Sequence, residues 1–442
     1  MDRDPPHRGA VAAAPDASLQ ALQQLLQGQR ARVVAHLAHA LGLAHLALAE
    51  DAVQAASLKA LQLWRQQGLP DNPAGWLFRV AQHSALDTLR RQQREQPWPE
   101  DDTSADHLPT QPAPAGRFAG ELDDEQLALL FAACHPALPA ATQVALALRL
   151  GAGLALPPIA AGLLCSEAAL AQRLARARRT LAGVPLQVPA GAELPPRREA
   201  VLTALSLAFH AGARARARGQ RIEGAEALQL CWESIRLARA LAAHPAAAHA
   251  DADALAALLL LHGARLTGQL DEAGDIVPLA YQPRDRWDAG MVRLGFLHLQ
   301  RAQRGQRLSR WHLQAGIAAE HARAPSAAAT DWAAIVQYYE MLLRLDGSAA
   351  PRLGHAIALA EAGDPQAALA ALQQLQPGLP AALQAHGLAA QARALERLGR
   401  LAEAAACLQQ AIAAAPHAAE ARVLARRAAS WAAAAAAQGS MS

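Results

Sequence analysis

The prevalence of alanine and leucine constrains the fold of this chain more than any other feature. Both residues favour helix, whereas aromatic residues make up only 4% of the sequence and β-branched residues are sparse. With 442 residues, the chain is also too long for one ordinary hydrophobic core, and about two to four domains are expected. We therefore predict an all-α protein built from several domains.

The charge balance limits how the chain could bind nucleic acid. The formal net charge is only +3, so any cations that contact DNA must be concentrated locally. The cysteines show no C-x-x-C spacing, so the sequence indicates neither a zinc knuckle nor a disulfide framework. They are Cys134, Cys165, Cys231 and Cys407. We expect no metal, no cofactor and a reducing, cytoplasmic setting.

The sequence also predicts no membrane segment. Residues 1–18 combine charged residues with three prolines and contain no apolar core of a signal peptide. The longest strongly apolar run, Ala254 to Leu261, is much shorter than the roughly 20 residues needed to cross a bilayer.

Composition divides the chain into four regions. Residues 18–95 are predicted to form a first helical domain, and residues 96–120 are so rich in proline and acidic residues that they predict a flexible linker. Helical periodicity returns over residues 121–185 and, after another proline-rich joint, continues over residues 195–442.

The last region contains an internal repeat. Residues 356–369 and 392–405 align at an offset of 36 residues, with Gly363 and Gly399 in equivalent positions. This period is close to the helix-turn-helix repeat of about 34 residues in tetratricopeptide arrays, which usually bind peptides or partner domains. The alternative is a low-complexity alanine-rich helix that pairs with itself by chance.

A helix is predicted to begin at Asn72, which can cap it, with Pro73 in the first turn. At 100° per residue, the inward stripe is predicted to consist of Leu77, Val80, Ala81, Ser84 and Thr88. The outward face then carries Arg79, His83 and Arg90, with Trp76 at its edge. Cations beside an aromatic ring suit melted nucleic acid. The alternative is a solvated basic face with Trp76 in the core.

The preceding helix is predicted to open over residues 49–54. Its inward stripe consists of Val53, Ala56, Ala60 and Trp64. Asp51, Lys59 and Gln62 then point outward, where they are available to a protein partner or are ordinary surface residues.

A second group of residues predicts a helix-turn-helix. We predict one helix over Ala140 to Leu150, a short second helix over Pro157 to Leu164, and a third capped by Ser166 and reaching about Leu181. The third helix buries Leu170, Leu174, Ala177 and Leu181 and presents Arg173, Arg176 and Arg179, with Arg178 on the flank. Such donors can reach phosphates and guanine edges; the alternative is a basic helix in a bundle.

Together these segments resemble the extracytoplasmic-function class of bacterial sigma factors. Residues 50–54, 71–77 and 85–91 are similar to the promoter-melting domain of that class, and residues 131–138, 144–150 and 171–177 to its upstream-element domain. Residues 285–288, 312–319 and 326–332 resemble the subgroup with a large tetratricopeptide-like C-terminal extension.

The resemblance implies a role for individual residues. Asp51, Gln54 and Lys59 would dock on core RNA polymerase. The −10 element would be bound by Asn72, Trp76, Arg79, His83, Arg90 and Arg91. The −35 element would be bound by Ser166, Glu167, Arg173, Arg176, Arg178 and Arg179.

The predicted function is therefore that of a sigma factor, which binds core polymerase and promoter DNA and performs no chemistry itself. Two alternatives stay open, namely a non-sigma helix-turn-helix regulator with a helical-repeat sensor domain, and a repeat scaffold for proteins. An enzyme is the least supported class, because the chain contains no H-E-x-x-H, G-x-S-x-G or P-loop motif. The extension is predicted to bind a protein or peptide and to control polymerase engagement in place of a membrane anti-sigma protein.

Overall fold

The computed structural model of the chain describes residues 15–95, 118–151, 153–163, 165–217, 221–272 and 274–439. These residues form helices joined by short turns, and the β-structure within these ranges is one isolated bridge between Leu270 and Ile276. The predicted all-α fold is confirmed. Two compact units divide the chain, Met1–Ala204 and Leu205–Ser442.

The first unit begins with three packed helices. They are α1 (Pro15–Leu41), α2 (Leu46–Gln67) and α3 (Pro73–Glu95). The stripe predicted on α2 is confirmed, since Val53, Ala56, Ala60 and Trp64 are all buried.

The stripe predicted on α3 was only partly right. Leu77 and Ala81 are buried, but Val80, Ser84 and Thr88 are only partly buried. The other buried positions are Phe78, Ala85 and Leu89. The reason is that α3 packs against both α1 and α2, and the Phe78 ring lies against His36 of α1 with a centroid distance of 4.4 Å.

In the rest of the first unit, helices lie close to the three segments predicted to be helical between Ala140 and Leu181. It contains α4 (Phe118–Ala133), α5 (Ala140–Leu146), a π-helical turn (Ala147–Gly151), α6 (Leu156–Gly162) and α7 (Glu167–Leu181). Of the predicted linker, residues 96–117 lie outside the described residues and residues 118–120 already belong to α4.

Helix α4 joins the two halves of the first unit. It packs against α1 and against the π-helical turn, and the buried Gln126 side chain donates to the Gly151 carbonyl at 2.7 Å. His36 of α1 pairs with Glu125 of α4. The two domains predicted from sequence are therefore packed together in one unit.

The second unit starts within α8 (Leu194–Ala217). It continues through α9 (Arg221–Ala243), α10 (Ala250–Gly263), α11 (Ala289–Ala302), α12 (Arg310–Arg323) and α13 (Trp332–Leu345). It ends with α14 (Ala349–Glu361), α15 (Pro365–Leu375), α16 (Ala381–Arg397), α17 (Leu401–Ala414) and α18 (Ala418–Gly439). Helix α10 is apolar on nearly all sides, and α9, α11 and α12 cover it.

The repeat predicted from sequence appears as two helical hairpins, α14–α15 and α16–α17. Each hairpin turns at a glycine with positive φ, 104° at Gly363 and 73° at Gly399, a conformation that other residues seldom adopt. The equivalent Ala368 and Ala404 are both fully buried, which lets the paired helices approach closely. The C-terminal part is thus a helical-repeat structure.

Candidate nucleic-acid interface

The start of α3 is fixed by a side-chain cap. The Asn72 Oδ1 atom accepts a hydrogen bond from the Gly75 backbone N–H at 2.9 Å, and Pro73 occupies the first turn, where it needs no hydrogen bond. A Cβ at Gly75 would lie only 2.7 Å from the Asn72 side chain. Glycine at this position therefore lets the exposed Asn72 side chain fold over the helix end.

Trp76 lies beside this cap and is partly buried. Its ring meets the buried Trp64 of α2 edge-on, with centroids 5.2 Å apart and planes inclined by 64°. The core therefore holds Trp76 in a fixed orientation while part of the ring stays in solvent. This position lies between the two predicted alternatives, an interface residue and a core residue.

The outward face of α3 is cationic, as predicted. Arg79, His83, Arg90 and Arg91 are all exposed. Their contacts within the chain are weak: Arg79 donates to the Gly75 carbonyl at 3.4 Å, and Arg90 lies 3.4 Å from Asp87 in an exposed pair. Exposed pairs of this kind contribute little free energy, so these side chains can be redirected to a phosphate.

The three residues predicted to dock on polymerase lie on α2 and are exposed. Asp51 and Lys59 stand in solvent. Gln54 accepts a hydrogen bond from the Arg30 guanidinium of α1 at 2.7 Å. The surface formed by Asp51, Gln54 and Lys59 is thus accessible, with one member tied to a neighbouring helix.

Helix α7 has the predicted cap and inward stripe. The Ser166 hydroxyl accepts from the Ala169 N–H at 3.2 Å, and Glu167 occupies the first turn, where a negative charge suits the helix dipole. The buried positions are Leu170, Leu174, Ala177 and Leu181. Arg176 and Arg179 are exposed and Arg173 is partly exposed.

Arg178 behaves differently from the other arginines of α7. Its guanidinium pairs with Glu50 of α2, whose side chain is only 8% exposed. Arg149 of the π-helical turn lies 2.8 Å from the other carboxylate oxygen of Glu50. One buried carboxylate therefore holds two arginines from the second half of the first unit against a helix of the first half.

Further polar residues surround this carboxylate. Glu50, Asp51, Arg30 and Arg178 line a cleft together with Gln54, Arg149 and Leu156. Burial lowers the pKa of Arg30, and Arg149 lowers it further, whereas Glu50 raises it. Sequence reasoning missed Glu50 and Arg149 because their partners lie far away in the sequence. The available signal was an acidic residue between the buried Ala49 and Ala52, on the inward side of α2.

Two of the cysteines have deeply buried thiol groups. Burial raises the pKa of Cys134 and of Cys231 to about 12, so these thiols are not nucleophiles near neutral pH. Within the described ranges, no group of three or more histidine, cysteine or acidic residues could hold a metal ion. In the same ranges, no helix has both the length and the apolar composition required to span a membrane.

Comparison with known proteins identifies the first helical domain. Residues 27–95, which cover most of α1 and all of α2 and α3, match sigma-70 region 2. The chain is a sigma-70 family sigma factor. Sigma factors of this family bind RNA polymerase and recognise promoters, and the family is not one of enzymes.

The match to known proteins extends beyond this domain. Residues 197–303 of the sigma factor match a family of unknown function (DUF6596). The sigma factor is also 38% identical, over 382 residues, to the uncharacterized protein R00370 of Rhizobium meliloti (strain 1021). The aligned region covers 85% of this chain and 88% of R00370. It therefore belongs to the same family as R00370. No solved structure matches it.

Proposed function

We propose that this sigma factor is a cytoplasmic member of the extracytoplasmic-function class with a tetratricopeptide-like C-terminal extension. Core RNA polymerase and promoter DNA are its partners. The observation that carries the proposal is the presence of two capped helices with cationic outer faces, α3 and α7, in one unit whose first domain matches sigma-70 region 2. A non-sigma helix-turn-helix regulator would explain α7 alone and leave that match without a role.

In this proposal, α3 binds the −10 element after strand separation. Arg79, Arg90 and Arg91 neutralise phosphates, because their guanidinium groups are exposed, and the contacts of Arg79 and Arg90 with described residues are weak. The exposed part of the Trp76 ring offers a surface on which an unpaired base can stack. Asn72 at the start of α3 and His83 on its outward face are exposed and supply polar contacts to the base or backbone.

Helix α7 binds the −35 element in the major groove. Ser166 and Glu167 lie at its N-terminal end, and Arg173, Arg176 and Arg179 extend along its outward face. Arginine in such a position can donate two hydrogen bonds to guanine or bind phosphate. Arg178 joins this surface only after its ion pair with Glu50 has opened.

Promoter binding requires the two halves of the first unit to separate. One turn of DNA measures about 34 Å, and the two promoter elements lie about two turns apart, whereas Arg178 of α7 contacts Glu50 of α2 directly. We infer that the structure is a closed form that does not bind both elements at once. Docking of α2 through Asp51, Gln54 and Lys59 on polymerase is expected to favour the open form.

The experiment that tests the function is runoff transcription with purified core polymerase on a pool of genomic fragments. The full chain should support initiation from a defined subset of fragments, and W76A should reduce the open-complex signal. W64F, which alters the buried partner of Trp76, serves as a folding control. A folded chain that neither copurifies with core polymerase nor supports any transcript would disprove the proposal.

The extension is proposed to regulate polymerase engagement by binding a protein or peptide. A truncation after Pro189 is expected to change promoter output strongly. The structure refines this test, because Arg197 of α8 donates to the Phe131 carbonyl of α4 at 3.0 Å and so belongs to the first unit. Truncation after Ala204 keeps this contact and separates loss of regulation from loss of folding; unchanged output from both truncations would contradict a regulatory role.

A further inference from the structure

The second unit contains two arginines that face one tryptophan ring and form no ion pair with any described acidic residue. Arg265 follows α10, and Arg284 lies in the short turn before α11. The Cζ atom of Arg284 lies 4.0 Å from the centroid of the Trp287 ring, and that of Arg265 lies 5.7 Å from it. We call Arg265, Arg284 and Trp287 the arginine–tryptophan cluster.

Four buried nitrogen atoms of this cluster have no hydrogen-bond partner among the described residues. The Nε atom of Arg265, the Nε and Nη1 atoms of Arg284 and the Nε1 atom of Trp287 are buried and have no hydrogen-bond partner. No carboxylate of the described residues pairs with either guanidinium. Native structures rarely leave so many buried donors without a partner at one place, because a buried donor that loses its hydrogen bond to water destabilises the fold.

Cation–π contacts with Trp287 offset only part of this cost. An indole ring attracts a guanidinium through its face, but it accepts no in-plane hydrogen bond from the N–H groups. Arginine presents its donors in a planar fork that matches the two oxygen atoms of a carboxylate or phosphate. The unsatisfied atoms are therefore the ones that an oxyanion would satisfy.

His262 and His321 lie near enough to Arg265 for its charge to affect them, His210 lies beside His262, and none of these histidines adds negative charge. The His210 and His262 rings are 5.6 Å apart, and His321 meets Trp332 at 5.2 Å. Burial lowers the pKa of His321 to about 4, with Arg265 and Arg284 contributing. Burial lowers the pKa of His262 well below its usual value, with Arg265, His210 and His321 contributing. The imidazoles are therefore neutral at pH 7 and keep one N–H donor each.

Access and charge both favour a small anion over a metal cation. Arg265 and Arg284 are each partly exposed, so a small ligand can reach their guanidinium groups from solvent. The local charge is positive, because the groups that perturb His262, Arg265 and His321 are all arginines or histidines. A cation would be repelled, whereas an anion would supply the missing counter-charge.

We propose that the second unit binds a small molecule carrying a carboxylate or phosphate group, held by Arg265 and Arg284 beside the Trp287 indole. The site lies in the part of the chain that matches the family of unknown function. It gives the extension a chemical signal to respond to, in addition to any protein partner. Binding at this site does not depend on the proposed promoter contacts.

The test is thermal unfolding of the full chain at pH 7.5 in a buffer without oxyanions, at constant ionic strength. Inorganic phosphate, acetate and chloride are compared. Phosphate or acetate should raise the melting temperature of the second unit by about 2–4 °C relative to chloride, as expected for a ligand that binds only the folded state. The more effective of the two anions identifies the ligand as a phosphate or a carboxylate.

Matched variants distinguish this site from general salt effects. R265M and R284M should each lose the anion-dependent shift, whereas R301M, which removes an exposed arginine from α11, should retain it. R284M carries the test if R265M fails to fold. The proposal is overturned if neither anion gives a shift relative to chloride, or if the shift in R265M or R284M equals that in R301M.

Discussion

The two units each contain a pair of partly buried arginines, and the two pairs differ in one respect. In the first unit, Arg149 and Arg178 share the carboxylate of Glu50, which is almost fully buried. In the second unit, Arg265 and Arg284 share only the ring of Trp287. A partly buried guanidinium that pairs with a carboxylate cross-links two helices. Without such a carboxylate, the guanidinium lacks a counter-charge, which a bound anion can supply.

The largest predicted effect comes from removing the carboxylate of the first group. E50Q leaves Arg149 and Arg178 buried without a counter-charge, and breaking a buried pair in this way costs about 3–5 kcal/mol. We expect the protection of α2 and α7 amides against hydrogen–deuterium exchange to fall by about 100-fold, which corresponds to about 3 kcal/mol. The measurement is local, so it does not require the two units to unfold together.

D87N is the control for this prediction, because it removes the exposed partner of Arg90. Such a pair is worth less than about 1 kcal/mol, so exchange in α2 and α7 should not change. Equal protection in E50Q and D87N would mean that the Glu50 pair does not hold the closed form together.

The next effect concerns pH and the second unit. The pKa values of His210 and His321 are lowered to about 4 by burial, with nearby arginines contributing. The unfolded chain therefore binds more protons than the folded chain between pH 6.5 and pH 4, and the second unit should lose stability as pH falls through this range. At pH 5 the loss should reach about 2 kcal/mol for each histidine.

The free energy of unfolding of H321Q should fall less between pH 7.5 and pH 5 than that of the native chain, by the contribution of one histidine. Urea unfolding at the two pH values measures this difference. H386Q is the control, because His386 is mostly exposed and paired with Glu420. An identical pH dependence in H321Q and the native chain would show that His321 does not titrate as its burial implies.

A smaller effect distinguishes paired and unpaired arginines on α7. R176Q should weaken binding to a promoter duplex about tenfold and lower the salt dependence by about one phosphate contact. R178Q should have little effect on the duplex alone, because Glu50 already holds this side chain. With core polymerase present, R178Q should weaken promoter binding almost as much as R176Q does. Fluorescence anisotropy at several salt concentrations measures binding by both variants.

The smallest effect concerns the cap of α3. N72A removes the acceptor for the Gly75 N–H and should cost about 1 kcal/mol, whereas N72S keeps a capping oxygen and should cost only a few tenths. Hydrogen–deuterium exchange in the first turn of α3 measures this difference. If both variants lose promoter opening equally, the Asn72 amide contacts DNA; if N72S retains it, Asn72 serves the helix alone.

Local patterns in the sequence predicted the features that depend on neighbouring residues. The caps at Asn72 and Ser166 and the stripe on α7 were correct because each is determined within a few residues along one helix. The 36-residue repeat was found for the same reason, since equal turns recur at equal spacing.

Features that depend on distant residues could not be predicted in this way. Glu50 and Arg178 are 128 positions apart, and no periodicity of either helix indicates that they meet. The buried face of α3 differs from the predicted stripe because α3 contacts two helices, α1 and α2. These contacts also bury Phe78 and Leu89. The arginine–tryptophan cluster was missed because Arg265 and Trp287 converge only through the folding of the loop between α10 and α11.

The glycine turns of the repeat recur every 36 residues, and this spacing sets the unit by which the C-terminal half can change in length. Gly363 and Gly399 both have positive φ at the turns of two hairpins, and each hairpin buries an equivalent alanine, Ala368 or Ala404. A further 36-residue hairpin inserted between these two would pack against each of them through the same kind of surface that they now use to pack against each other. The chain can therefore grow or shrink by whole hairpins, and duplication is a ready route to extensions of different reach.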